Sequence, residues 1–302
     1  MENPRTVNYQ QILDRLSMVE SAVVSNGGAL ASSRIGQYKR DISRLNDPTV
    51  LANLRGHFTE EQLVQLLFTL GEVSELWTIF ETLHPRYSTV LSKRLRDILG
   101  GPVSAADELD RNTGGRAHNV QFELLLMAQL AHSGLPILDD TLTDVKSRFR
   151  DRDLLFECKR PQRSTSVRPC LRDALHQLIH QARNQNAGSL KMVAISLSKV
   201  LTEGKTLWKV SDEHEGLALM GQAIEAEMKP HARYFGQQAG PHVAGVIVYA
   251  TASVLRTKTG SPGNVSQQVF FANPDAEAGV ERDALEWFGI YESGKQSAFA
   301  KN

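Results

Sequence analysis

Two short runs decide how this chain is read: Thr143-Asp144-Val145-Lys146 and, after a charged interval, Leu154-Leu155-Phe156-Glu157-Cys158-Lys159. Leu142 to Phe149 and Asp153 to Lys159 are rich in β-forming residues, and Arg150-Asp151-Arg152-Asp153 between them is too polar for a core and suits a turn. A tight hairpin centred there sets Asp144 opposite Lys159 and Lys146 opposite Glu157. Side chains alternate across a strand, so Asp144, Glu157 and Lys159 share one face. Val145, Phe149, Leu154, Phe156 and Cys158 form the other, apolar enough to sit on a core.

Outward from this hairpin the pattern divides the chain. Gln10 to Val24, Gly36 to Leu45, Glu60 to Leu70, Val73 to Leu83 and Thr89 to Leu99 carry apolar residues at spacings of three and four and read as helices. Thr59-Glu60-Glu61-Gln62 has the spacing of a capping box. Gly100-Gly101-Pro102 is the natural boundary. An all-α N-terminal domain over residues 1–105, serving interaction or dimerisation, is therefore expected before a second domain over 106–302.

In that second part a helix near Ala117 to Ser133 precedes strands around Leu135 to Leu138, Leu142 to Phe149 and Asp153 to Lys159. A helix from Val167 to Gln185 and a strand from Lys191 to Leu197 follow. Beyond them come a helix at His214 to Ala232, strands at Val243 to Thr251 and Gln267 to Ala272, and a helix at Ala276 to Phe288. Arg256 to Val265, with Gly260, Pro262 and Gly263, reads as a loop. The order α, β, β, β, α, β predicts an α/β fold with a mixed β-sheet flanked by helices.

The 302 residues, 41% hydrophobic and 23% charged, suffice for one large domain or two of ordinary size. No apolar run approaches the roughly 18 to 20 residues of a membrane span, and Met1-Glu2-Asn3-Pro4-Arg5 does not open like a signal peptide. Cys158 and Cys170 lack metal-type spacing and suit a reducing compartment, so a cytoplasmic setting is expected with no membrane partner. The 34 basic and 34 acidic residues cancel. Lys146, Arg148, Arg150, Arg152, Lys159, Arg160, Arg163, Arg168 and Arg172 nevertheless crowd the hairpin and its exit, where a phosphate backbone would lie. A solvated, salt-bridged surface is the plainer reading of the same charges.

Hydrolysis of a phosphodiester needs a metal to polarise the phosphoryl oxygen and acidify water, with a cation near the nucleophile or the developing charge. Magnesium uses one or two protein carboxylates together with water. Asp144 and Glu157 supply the carboxylates, and Lys159, two residues along the same strand face, supplies the cation. Glu-x-Lys alone is common. Its weight here comes from the preceding aspartate, the apolar lead-in, an upstream helix carrying Glu123 and a downstream helix carrying Gln177.

Helix with Glu123, strand with Asp144, strand with Glu157-Cys158-Lys159 and helix with Gln177 together resemble the PD-(D/E)xK nuclease superfamily. The likeness covers roughly residues 115 to 200, and Thr143 stands where the superfamily often has proline. It implies a restriction-endonuclease-like αβββαβ core and a Mg²⁺-dependent deoxyribonuclease in which Mn²⁺ substitutes. It further implies Asp144, Glu157, Glu123 and the Cys158 carbonyl at the metal, Lys159 at the water, and Gln177 at the site or the DNA. Lys146, Arg148, Arg160, Arg163, Arg168 and Arg116 are the expected nucleic-acid contacts. DNA is the first choice of substrate with RNA left open. A homodimer, a helicase or ATPase partner and a role in defence against foreign DNA follow from the superfamily's common uses.

Other readings stay in play. Asp139, Asp140 and Asp153 are rival carboxylates, with Asp140 the best placed to replace Asp144. His176 and His180 are spaced as in a zinc-protease helix, but Gln177 occupies the place of its glutamate. Gly114-Gly115-Arg116 could cradle a phosphate or be a plain loop. No GxxxxGK[ST], GxSxG or GxGxxG occurs, which leaves nucleotide hydrolysis, serine-hydrolase chemistry and dinucleotide binding without support. The alternative from another class is a non-catalytic module that binds nucleic acid or protein on the same fold.

Overall fold

Thr59 and Gln62 close the expected capping box: the Thr59 N–H donates to the Gln62 side chain at 3.0 Å and the Gln62 N–H to the Thr59 hydroxyl at 3.2 Å. They start a helix within a computed structural model that describes residues 9–25, 33–99, 115–139, 143–181, 188–203 and 206–301. Met1 to Arg5, Gly100-Gly101-Pro102, Gly114, Asp140 and Leu142 lie outside the described residues. The chain forms two compact units, Met1–Gln121 and Phe122–Asn302.

The described elements of the first unit are helices: α1 (Tyr9–Ser25), α2 (Arg34–Leu45), α3 (Pro48–Ala52), α4 (Leu54–His57), α5 (Glu60–Leu99) and the opening turns of α6 (Arg116–His132). Ser33 caps α2 by accepting from Gly36 N, and Asp47 caps α3 ahead of Pro48. The sequence pattern predicts three helices where α5 has two, joined across a kink that falls in the expected gap between Leu83 and Thr89. Gly71 does not interrupt it, and the non-helical backbone falls at Tyr87, just past Pro85, whose missing N–H weakens the ladder there. The α5 segment Glu60–Tyr87 also has the length and apolarity of a membrane span. Its Leu66, Val73, Leu76, Ile79, Phe80 and Leu83 are buried, as are Leu16, Val19 and Val23 of α1 and Ile35 and Ile42 of α2, which pack on α5, while the larger part of its most apolar stretch is not buried.

Polar groups penetrate that core. Arg34, only 1% exposed, donates to the Tyr38 hydroxyl at 2.7 Å, to Gln121 at 3.1 Å and to the Ile98 carbonyl at 3.3 Å, and it pairs with Glu72. Tyr38 also donates to Glu72, and His118 Nε2 lies 3.1 Å from the same carboxylate. Burial pushes the Glu72 carboxyl up, but the His118 and Arg34 charges overcome this and hold it well below the ordinary 4.5.

The second unit is α/β. From the rest of α6 it continues through β1 (Ile137–Leu138), β2 (Val145–Phe149), β3 (Arg152–Lys159), α7 (Ser164–Gln181), β4 (Leu190–Ser196), α8 (Ser198–Thr202), β5 (Trp208–Val210), α9 (Glu213–Ala239), β6 (Val243–Arg256), β7 (Ser261–Ala272) and α10 (Ala278–Lys301). The sheet order is β1-β2-β3-β4-β6-β5, with β7 on the other side of β6. Strands β1, β2 and β3 are antiparallel neighbours; β3, β4 and β6 run parallel, and β7 returns antiparallel to β6.

The near-continuous apolar runs of β3, β4 and β6 follow from burial on both faces. Leu155, Val193, Ile195, Val246 and Val248 pack with Val167, Leu171, Ala174, Leu175 and Leu178 of α7 and with Met220, Ile224 and Phe235 of α9. On the opposite face Phe156 meets Trp287 of α10, and Tyr249 stacks with Phe122 of α6. A Cβ at Gly245 would lie 2.4 Å from the Phe271 carbonyl and 2.6 Å from the Phe270 ring, so only glycine admits β7 at this spacing.

The segment Arg256 to Val265, expected to be a loop, belongs mostly to β6 and β7, and the turn is confined to Thr257–Gly260. Pro262 stands at the start of an edge strand, where its missing N–H is tolerated. Strand β5 and helix α8 had no distinct sequence signal.

Candidate functional site

The β2–β3 hairpin turns through Arg150 and Asp151, and Arg150 takes a φ of 56°. Pairing runs Phe149↔Arg152, Arg148↔Asp153, Ser147↔Leu154, Lys146↔Leu155 and Val145↔Phe156. Continued by one residue, this register brings Asp144 level with Glu157, not with Lys159, and sets Lys146 against Leu155 instead of Glu157. The expected pairing is thus displaced by two residues. The strand begins at Arg152, one residue before the expected Asp153, and Asp153 is held by Arg148, which donates to it twice, at 3.0 and 3.1 Å, and by Lys146, which approaches it at 3.2 Å. A two-residue displacement preserves face, so Asp144, Glu157 and Lys159 still point the same way.

Asp144 sits just before β2, where the ladder has ended. Its Oδ2 accepts the Cys158 N–H at 2.8 Å in place of a backbone carbonyl. In an extended strand the N–H and C=O of a residue leave by the same edge, so the Cys158 carbonyl also faces the Asp144 side, while its thiol is buried on the reverse face. Lys159 Nζ lies 3.5 Å from Glu157 Oε2 and 3.9 Å from Asp144 Oδ2. The Glu157 side chain is 3% exposed, that of Lys159 20% and that of Asp144 31%, so the group is sealed beneath and open above.

Burial first, then the Asp144 charge and a hydrogen bond between the two carboxyl groups, push Glu157 up to about 8, against the pull of Lys159. At neutral pH the pair holds a proton. Burial and the charges of Asp144, Glu123 and Glu157 likewise push the Cys158 thiol well up, which sets Glu123 of α6 near the same strand end. Among the described residues, no three or more His, Cys, Asp or Glu side chains are gathered as a metal-holding group. The arrangement is a two-carboxylate site with a neighbouring ammonium.

Gln177, on the α7 turn after Ala174, is partly buried. Its Oε1 is shielded from solvent without a hydrogen-bond partner among the described residues, and it bonds to none of Asp144, Glu157 and Lys159. His176 and His180 are exposed with ring centroids 4.2 Å apart. Asp139 lies just past β1, and Asp153 is committed to Lys146 and Arg148.

The expected basic contacts separate by position. Arg160 and Arg163 follow Lys159 directly into α7, and the exposed Arg168 guanidinium lies 4.3 Å over the Tyr234 ring of α9. Lys146 and Arg148 line the hairpin face but are engaged by Asp153, while Arg150 and Arg152 pair with Glu286 and Asp283 of α10. Arg116 belongs to the first unit, where it pairs with Asp97 at 3.1 Å. Sequence reading missed Tyr234 and the neighbouring His231, whose imidazole is pushed down by burial, with Arg168 adding to the shift against Glu227. Nothing local marks these residues, since α9 reaches α7 only through tertiary packing. Comparison of the chain with protein-family models, with curated proteins and with solved structures finds no match.

Proposed function

We propose that the second unit is a Mg²⁺-dependent nuclease that hydrolyses phosphodiester bonds of DNA on a restriction-endonuclease-like core. The observation that carries this reading is the convergence of Asp144, Glu157 and Lys159 at one end of the β2–β3 hairpin. It is supported by the order α6-β1-β2-β3-α7-β4, with β1, β2 and β3 antiparallel and β4 parallel to β3.

The residues fit a hard dication. Glu157 holds its proton up to about 8 because burial and the adjoining Asp144 charge outweigh Lys159, and a divalent ion with oxygen ligands would stabilise both carboxylates in their charged form. Asp144, Glu157 and the Cys158 carbonyl would hold it, and Glu123 stands by on α6. When bound, Mg²⁺ polarises a phosphoryl oxygen and lowers the pKa of a water.

Lys159 orients the attacking water or meets the negative charge that develops at the phosphorus. The Asp144 carboxylate, anchored by the Cys158 N–H, keeps both oxygens within reach of the site without a rotamer search. Arg160, Arg163 and Arg168 carry the phosphate backbone past the exit of β3, and Gln177 is left from the family likeness as an accessory contact. A cytoplasmic setting, a dimeric or partner-dependent enzyme and a role against foreign DNA belong to the same proposal.

Incubation with linear, circular, single-stranded and branched DNA, and with RNA, tests it in Mg²⁺, Mn²⁺ or chelator. Metal-dependent cleavage is expected, and it should disappear in Glu157→Gln and fall by about 10² to 10³ in Lys159→Ala. Equal cleavage by parent and variants would remove the site assignment. Metal-insensitive binding without cleavage would favour the non-catalytic module.

A further inference from the structure

We propose that the outer edge of β7 is a two-fold seam at which a second copy of this chain pairs antiparallel, joining two sheets into one. Strand β7 is 12 residues long and stays in register with β6 from Ser261 to Ala272 without a bulge. Among the described residues, no backbone–backbone hydrogen bond outside the β6 ladder reaches it. Among the described residues, one edge of its N–H and C=O groups therefore has no backbone partner.

Edge strands are normally defended by lysines, central prolines, bulges or brevity. The sequence SPGNVSQQVFFA carries no charge, and its one proline stands at the start, which leaves Gly263 to Ala272 open. Val269, Phe270, Phe271 and Ala272 are all partly exposed. Val269 and Phe271 lean on the core shared with α9, whereas Phe270 leans on Trp287 and Phe288 of α10. Apolar surface is thus left uncovered on both faces of the same edge, as it is along an internal strand whose neighbour has been removed. Leu285, 51% exposed, lies one turn before Phe288 on the flank of α10 away from the Asp283 and Glu286 ion pairs, and it extends that surface.

The occupant is a second copy because an uncharged strand matches itself: two β7 edges meet without like-charge repulsion and repeat every contact about the axis. The size also fits. Twelve residues at ~3.4 Å span roughly 40 Å, and a sheet with half of each flanking helix layer is about 20 Å thick, which gives ~800 Å² per partner, the area of a stable interface.

Sedimentation equilibrium on the full chain tests the seam, with Ser266→Lys and Leu285→Lys as variants because both positions are exposed. A species of twice the 33.5 kDa chain mass is expected, with association about tenfold or more weaker in each variant while circular dichroism, and melting of the dilute monomer, stay unchanged. Hydrogen exchange supplies a readout that does not depend on the variants. Alternate amides of Gly263 to Ala272 should be slow in the dimer and fast on dilution. A monomer at all concentrations, a dimer that both variants leave intact, or a dimer whose β7 amides all exchange as in a free edge would overturn the seam.

Discussion

Replacing Glu157 by glutamine should stabilise the metal-free protein at neutral pH, although the residue stands at the centre of the proposed active site. Its carboxyl ordinarily titrates at 4.5, but burial and Asp144 push it to about 8 in the fold. Between those values the unfolded chain has released the proton while the folded chain retains it. The stability contribution is therefore complete below pH 4.5 and is lost as pH rises towards 8. At 1.36 kcal/mol per unit this amounts to about 3 kcal/mol by pH 7, as an upper bound because Asp144 and Lys159 share the titration.

Glutamine has the shape of the protonated acid and no proton to lose. The difference between Glu157→Gln and the parent should be near zero at pH 4 and below, and grow in favour of the variant up to pH 8. Urea unfolding followed by tryptophan fluorescence measures this, provided that m is unchanged. Saturating Mg²⁺ should raise the parent by about 2.7 kcal/mol at a hundredfold excess over Kd and leave the variant where it was. Parallel pH profiles for the two proteins, or a variant less stable at pH 7, would show that Glu157 is not held protonated by its surroundings.

Binding of Mg²⁺ to the parent at pH 7 should release about one proton per ion, seen as a dependence of calorimetric heat on buffer ionisation, and Glu157→Gln should release none. Lys159→Ala should lower DNA cleavage by about 10² to 10³ with Mg²⁺ affinity little changed, whereas Asp144→Asn should weaken Mg²⁺ binding itself. Glu72→Ala should cost about 3 to 5 kcal/mol by stranding Arg34 in the core. Because Glu72 is held below its ordinary 4.5, the parent's stability from this group is present above that value and fades as pH falls beneath it, and the variant should lose that acid limb in pH-dependent melting. Gly245→Ala should cost about 1 to 3 kcal/mol, since the obstructing Phe271 carbonyl is backbone and cannot rotate away.

Whatever depended on parity and period was legible in the sequence; whatever depended on a distant partner was not. The common face of Asp144, Glu157 and Lys159 survives the displaced register because any even shift returns each side chain to its side of the sheet. The register itself was set by the grip of Lys146 and Arg148 on Asp153, and the strand extends back to Arg152, which reads as turn alone. Likewise Gly260, Pro262 and Gly263 spell a loop locally, yet β6 offers a complete ladder and only Gly260 is needed for the bend, at a φ of 66°. Helix α5 passes Gly71 for the same reason, because burial against α1 and α2 outweighs a local cost of about 1 kcal/mol. The charge state of Glu157 lay furthest from the sequence. A Glu-x-Lys strand reads as an exposed ion pair, and it becomes a proton-holding site only because Glu157 is buried next to Leu155, which packs under α7, while Asp144 meets it from the lead-in to β2. The chemistry of the motif is thus a property of its burial and its neighbour as much as of its residues, and only variants that leave both in place can measure it.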